Sequence, residues 1–115
     1  MNNKREKPSY YAILPAVVRY DSDLTPGAKL LYAEISSLCN EKGYCWATNR
    51  YFCELYSITD RTIRNLLKQL SNKNYIKIEH ISGIERQIFI SDGIKYQKEL
   101  KKITIPDYNW LEEEE

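Results

Sequence analysis

Histidine is almost missing from this chain: among 115 residues His80 is the only one, in a segment expected to be a strand. No nucleophile motif lies near it, and no Gly-x-x-x-x-Gly-Lys-Ser/Thr loop occurs, so neither catalysis nor nucleotide hydrolysis is expected. Cysteine is also scarce. Cys39, Cys45 and Cys53 are odd in number and separated by five and seven residues. Zinc sites bring cysteines closer together and need two further ligands, so no metal and no cofactor is expected. The three thiols read as small core residues or half-exposed groups. No apolar run approaches the roughly 18 residues of a membrane span. The polar start, Met1–Pro8, leads into Tyr10–Val18, a stretch broken by Pro15 that lacks a signal-peptide core and cleavage site. A cytoplasmic protein is expected. No internal repeat is visible.

What remains is an ordinary globular composition, 43% hydrophobic, enough for one domain that buries roughly two-thirds of its unfolded surface. The formal net charge is only +1, but its distribution is uneven. Glu112–Glu115 supply four of the 16 acidic groups, which leaves 12 acidic against 17 basic groups in the first 111 residues. A mildly basic domain with an acidic tail is compatible with a polyanionic partner and does not by itself require one.

Along the chain, residues 1–9 read as a disordered leader, 10–103 as the domain, and 104–115 as an acidic tail or the start of a linker. Tyr10–Tyr20 suits an extended arm or edge strand. Asp21-Ser22-Asp23 forms a polar turn. Thr25-Pro26 is a helix-start signal, with Thr as N-cap and Pro in the first turn. Ala28, Leu31, Ile35 and Leu38 recur at helical spacing, with Leu30 and Tyr32 widening the apolar face. Asn40–Gly43 ends that helix, and Tyr44-Cys45-Trp46 is long enough only for a small strand. Thr48 caps a second helix that buries Tyr51, Phe52 and Leu55. Tyr56-Ser57-Ile58 is a three-residue turn, and Thr59 caps a third helix closed by Asn72–Asn74. Tyr75–Ile81 and Arg86–Ile90 alternate as two strands joined around Ser82–Glu85, with Ile76, Ile78, Ile88 and Ile90 on one face. Ile94–Lys102 fits either a short final helix or an irregular extension. Helix, short strand, helix, turn, helix, strand, loop, strand is the order of a winged helix-turn-helix, mainly α with a small β-sheet.

At 100° per residue the third helix divides cleanly. Ile63, Leu66, Leu67 and Leu70 fall on one side; Arg61, Arg64, Asn65 and Lys68 fall nearly opposite, with Asp60 and Gln69 at the edges. Such a helix fits a major groove about 12 Å wide, where Arg can fork onto guanine O6 and N7 and Asn onto adenine N6 and N7. Lys68, a turn further on, suits a phosphate. Asp60 lies at the positive end of the helix and stabilises its dipole, with cytosine N4 as a second option. Thr48, Asn49 and Arg50 begin the second helix, where free backbone N–H groups can hold a phosphate. Thr59 and Thr62 open the third helix. Gly83 allows the hairpin turn that carries Arg86 toward a backbone or minor groove, flanked by Lys73 and Lys77. Each feature also has an ordinary reading. Solvated helices are often basic outside, threonines cap helices in any protein, and Arg86 or Lys77 can be strand-edge charges. Their joint occurrence favours a nucleic-acid surface.

Ordered motifs over residues 11–91 carry a family resemblance. Leu24-Thr25-Pro26-Gly27-Ala28-Lys29-Leu30-Leu31-Tyr32 resembles "L-[ST]-x-x-[AE]-K-x-L-Y", and Gly43-Tyr44-Cys45-Trp46-Ala47-Thr48 resembles "G-x-C-[WF]-[AP]-[ST]". Thr59–Leu70 resembles "S-x-R-T-[VI]-x-x-x-[LI]-x-x-L", and Asn74-Tyr75-Ile76 resembles "G-[LY]-[IL]". These are patterns of the winged helix-turn-helix domain of plasmid and phage replication initiators and replisome organisers. Thr59 stands where Ser is commoner, which is neutral for capping. Asn74 stands for Gly and tolerates a left-handed backbone. The resemblance implies sequence-specific binding of double-stranded DNA, at origin repeats or, in regulatory relatives, at an operator. It also implies that the chain is a DNA-binding fragment, with a second copy, a further domain or replisome proteins as additional partners. A transcription regulator of the same fold and a winged-helix protein-interaction module are the alternatives, because fold alone does not decide function.

Overall fold

The structure is a computed structural model, and it describes residues 12–39, 42–83 and 85–91. Among these residues the elements are α1 (Ala16–Arg19), α2 (Pro26–Leu38), α3 (Asn49–Tyr56), α4 (Asp60–Asn72), β1 (Ile76–Ser82) and β2 (Glu85–Ile90). Mainly helical with a two-stranded antiparallel hairpin, this is the winged helix-turn-helix arrangement expected from the element order. The leader, the tail and Ile94–Lys102 lie outside the described residues. No described helix is long and apolar enough to cross a membrane.

Three N-caps set the helix starts. The hydroxyl oxygens of Thr25, Thr48 and Thr59 accept from the backbone N–H of Ala28, Tyr51 and Thr62 at 3.3, 3.2 and 3.2 Å. Each satisfies a donor that the first turn leaves orphaned, and replacing such a cap with Ala typically costs about 1 kcal/mol. Two of the stops use left-handed backbone without glycine: Ser57 after α3 at φ 58° and Asn74 after α4 at φ 62°. Asn is suited to that region. Ser is less so, and its presence shows that the tight α3–α4 turn is maintained by the surrounding packing.

Within the segment expected to be an extended arm, Ala16–Arg19 form α1 instead. Pro15 cannot sit inside a helix, but here it precedes one as N-cap with φ −59° and ψ 148°. Its carbonyl accepts from the N–H groups of Val18 and Arg19 at 3.1 and 2.8 Å, and Val18 is fully buried. Burial of one valine outweighs the strand preference of the segment. Two smaller differences follow the same logic. Leu30 is 60% exposed and lies off the core face that Tyr32 occupies. In α3 only Phe52 is fully buried, while Tyr51 and Leu55 are half-buried.

The core joins Ala28, Leu31, Tyr32 and Ile35 of α2 to Phe52 of α3, and to Ile63, Leu66, Leu67 and Leu70 of α4. Ile76 and Ile88 of the hairpin close it from the side. Gly27 matters for the approach of α2 to α4, because a Cβ there would stand 3.3 Å from Leu66 Cδ2. The expected Tyr44–Trp46 strand shrinks to a single bridge, in which Cys45 N–H donates to the Ile88 carbonyl at 2.7 Å and Ile88 N–H donates back at 2.9 Å. In the hairpin Ile76 pairs with Ile90, Ile78 with Ile88 and His80 with Arg86, so one face runs from apolar to basic toward the turn. An irregularity between His80 and Ser82 precedes the two-residue connection at Gly83.

A polar clasp fastens the end of α4 to the turn before α2. Tyr75 Oη donates to Asp21 Oδ2 at 2.6 Å, Asp23 N–H donates to Asp21 Oδ1 at 2.8 Å, and Lys73 Nζ lies 3.3 Å from Asp21 and 3.0 Å from Asp23. Burial alone would raise the Asp21 carboxyl, but the hydrogen bonds from Tyr75, Asp23 and Lys73 hold it below its ordinary value of 3.8. A depressed carboxylate contributes stability that is complete above the unfolded pKa and is lost as pH falls through the folded one. Asp21→Asn is therefore expected to unfold at lower urea than the parent at neutral pH, with the gap closing below about pH 4. A gap that stays constant down to pH 2 would contradict the clasp.

Candidate nucleic-acid interface

α4 is held by its apolar stripe. Ile63 and Leu70 are fully buried and Leu66 and Leu67 nearly so, each contributing roughly 1.5–3 kcal/mol relative to exposure. That burial fixes the rotation of the helix about its axis. Arg61, Arg64, Asn65 and Lys68 are consequently all exposed on the opposite side. With 13 residues, α4 is about 20 Å long.

Its polar residues divide into those with partners and those without. Among the described residues Arg61 and Lys68 make no ion pair or hydrogen bond, leaving their charges available to a ligand. Asn65 Oδ1 accepts from Gln69 Nε2 at 2.8 Å, and Gln69 Oε1 in turn accepts from the Thr25 N–H at 3.0 Å. The start of α2 thus steadies the exposed amide of α4. Arg64 Nε lies 2.9 Å from Asp60 Oδ2 in an ion pair, and Asp60 Oδ1 accepts from Asn49 Nδ2 at 3.0 Å. With Arg64 and Asp60 side chains 67% and 55% exposed, this i,i+4 pair contributes only about 0.3–0.5 kcal/mol in the free protein.

The remaining expected contacts divide similarly. Thr48 and Thr59 are caps, and Thr62 Oγ1 lies 3.0 Å from the Thr59 hydroxyl. Arg50 is solvent-exposed and pairs with Glu54 at 3.1 Å. Asn49 turns inward to Asp60. Lys73 is engaged by Asp21 and Asp23 in the clasp, and Lys77 pairs with Glu79 at 3.0 Å. Arg86 is also engaged within the fold: its Nε and Nη2 donate to the Ala47 carbonyl at 3.2 and 3.0 Å. Burial lowers its pKa from the ordinary value, opposed by the nearby Cys45 and Asp60. Arg86 therefore straps the hairpin to the residue just before the α3 cap.

Between α4 and the inner hairpin face lies a groove of about 380 Å³, lined by Asn49, Arg64, Leu67, Lys68, Ser71, Asn72, Ile78, His80 and Arg86. Among the described residues no carboxylate lines it. Leu67 and Ile78 form an apolar floor, and the side chains around them are basic or polar. His80 was legible in the sequence only as a strand residue without catalytic company; its alternation with Ile76 and Ile78 is the signal that places it here. Gln69 was legible as an edge residue, but its bond to Thr25 depends on the packing of α2 on α4. Among the described residues no cluster of three or more His, Cys, Asp or Glu could hold a metal ion. The thiols Cys39, Cys45 and Cys53 are free, and burial pushes those of Cys39 and Cys45 up, the latter to about 11.

Residues 22–76, which hold α2, α3, α4 and the first residue of β1, match a family model described as a helix-turn-helix domain. No curated protein and no solved structure matches the chain significantly. In sequence and in geometry this segment is similar to helix-turn-helix domains, which supports DNA binding.

Proposed function

We propose that this chain binds double-stranded DNA sequence-specifically by laying α4 in the major groove. The observation that carries the reading is the exposed stripe of α4, where Arg61, Arg64, Asn65 and Lys68 oppose a fully engaged apolar face. Arg61, Arg64 and Asn65 face the bases and Lys68 a phosphate, while the hairpin lies alongside the neighbouring backbone. Arg64 has the fork chemistry for guanine and Asn65 that for adenine. Arg61 and Lys68 bring charge that no described residue neutralises. Neither catalysis nor a bound cofactor enters this reading.

The process served is proposed to be replication initiation of a plasmid or phage. The support for that is the ordered set of motifs over residues 11–91 that resemble the initiator domain. Protection from cleavage on the DNA flanking the gene separates this from transcriptional control. Tandem protected repeats are expected, and a single protected operator over a promoter would contradict the replication role.

Binding of the 115-residue chain to duplexes it selects from a randomised pool, across a salt series, tests the DNA reading itself. Arg64→Ala should relax preference at one position, at a cost of about 1–3 kcal/mol. Lys68→Ala should weaken all sequences alike and reduce the salt slope by about one. If a protein-interaction module were correct, affinity would be weak throughout and insensitive to both substitutions.

A further inference from the structure

We infer that Asp60 and Asn49 form a positioning relay that presets Arg64 for guanine, an inference that rests on the major-groove reading above. Asp60 is the first residue of α4 and Asn49 the first of α3. The helix-turn-helix crossing brings the two starts together, so Asn49 Nδ2 reaches Asp60 Oδ1 at 3.0 Å. The other oxygen, Oδ2, stands 2.9 Å from Arg64 Nε in an ion pair. Each carboxylate oxygen therefore has one partner, and the plane of the carboxylate is set between two helices.

The atom that Asp60 takes from Arg64 is decisive. A guanidinium has five N–H groups in a rigid fork, and here the carboxylate stands beside the Nε edge of it. Among the described residues neither Nη group is hydrogen-bonded, and these are the ones that reach guanine O6 and N7 together. A flexible arginine loses much rotamer freedom when it docks, and one already held at Nε loses less. In the free protein the pair is exposed and weak. Docking into a groove expels water and strengthens the same attraction between carboxylate and guanidinium.

A carboxylate on a DNA-facing surface also repels phosphates. Its two effects oppose each other: Asp60 should aid binding where Arg64 meets guanine and hinder it elsewhere. A purely structural role at the start of α4 has no such signature, because weakening the helix lowers binding to every sequence.

The test uses the 115-residue chain, duplexes selected from a randomised pool, their one-base variants and a mixed-sequence duplex. Asp60→Ala is expected to reduce guanine preference about tenfold at the position read by Arg64, while affinity for the mixed-sequence duplex stays level or rises. Asn49→Ala, which leaves the charge in place, should relax the same position by a smaller factor. In an Arg64→Ala background Asp60→Ala should relax nothing further. If Asp60→Ala keeps the parental preference, or weakens selected and mixed-sequence duplexes equally, the relay is wrong. Should Arg64→Ala itself leave every base preference intact, the major-groove reading falls and the relay with it. If Arg64→Ala relaxes one position and Asp60→Ala none, only the relay falls.

Discussion

The burial of four apolar side chains on α4 is the constraint on which the rest of this structure depends. Ile63, Leu66, Leu67 and Leu70 must all reach the core formed with α2, α3 and the hairpin. A helix has one rotation that satisfies all four, and each residue of slippage would turn it by about 100°. The exposed stripe of Arg61, Arg64, Asn65 and Lys68 is therefore set by hydrophobic packing rather than by polar contacts. Stability and presentation of the candidate DNA surface share one cause.

Polar contacts then refine what packing has set. Gln69 connects α4 to the start of α2, Asn49 connects α3 to Asp60, and Arg86 joins the hairpin to the residue before α3. The clasp of Tyr75, Lys73 and Asp21 anchors the far end of α4. Individually the exposed pairs are weak. Together they tie every neighbour of α4 to it or to its turn, so the hairpin and the helix-turn-helix behave as one surface. The close approach of α2, which Gly27 permits, belongs to the same scheme.

Much of this was legible in the chain because the signals are local. Threonine caps, the Pro26 start, the α4 periodicity and the alternation of Ile76, Ile78, Ile88 and Ile90 all depend on neighbours within a few residues. The α1 turn was not legible, since Pro15 and the valines argue locally for extended backbone and only burial of Val18 reverses that. Side-chain commitments were the least legible. Lys73 and Arg86 look like free cations in sequence, yet their partners lie 50 and 39 residues away, at Asp23 and Ala47. Asp60 suggested a dipole role because its link to Asn49 exists only once α3 and α4 cross.

The central claim, that α4 reads base edges in the major groove, is tested most directly by atomic substitution in the DNA. Each guanine of a selected duplex is replaced in turn by 7-deazaguanine, which lacks the N7 acceptor while still pairing with cytosine. The account predicts a clear loss of affinity, on the order of tenfold, at one or two guanines. That loss should vanish in the Arg64→Ala variant. Unchanged affinity at every guanine would contradict it.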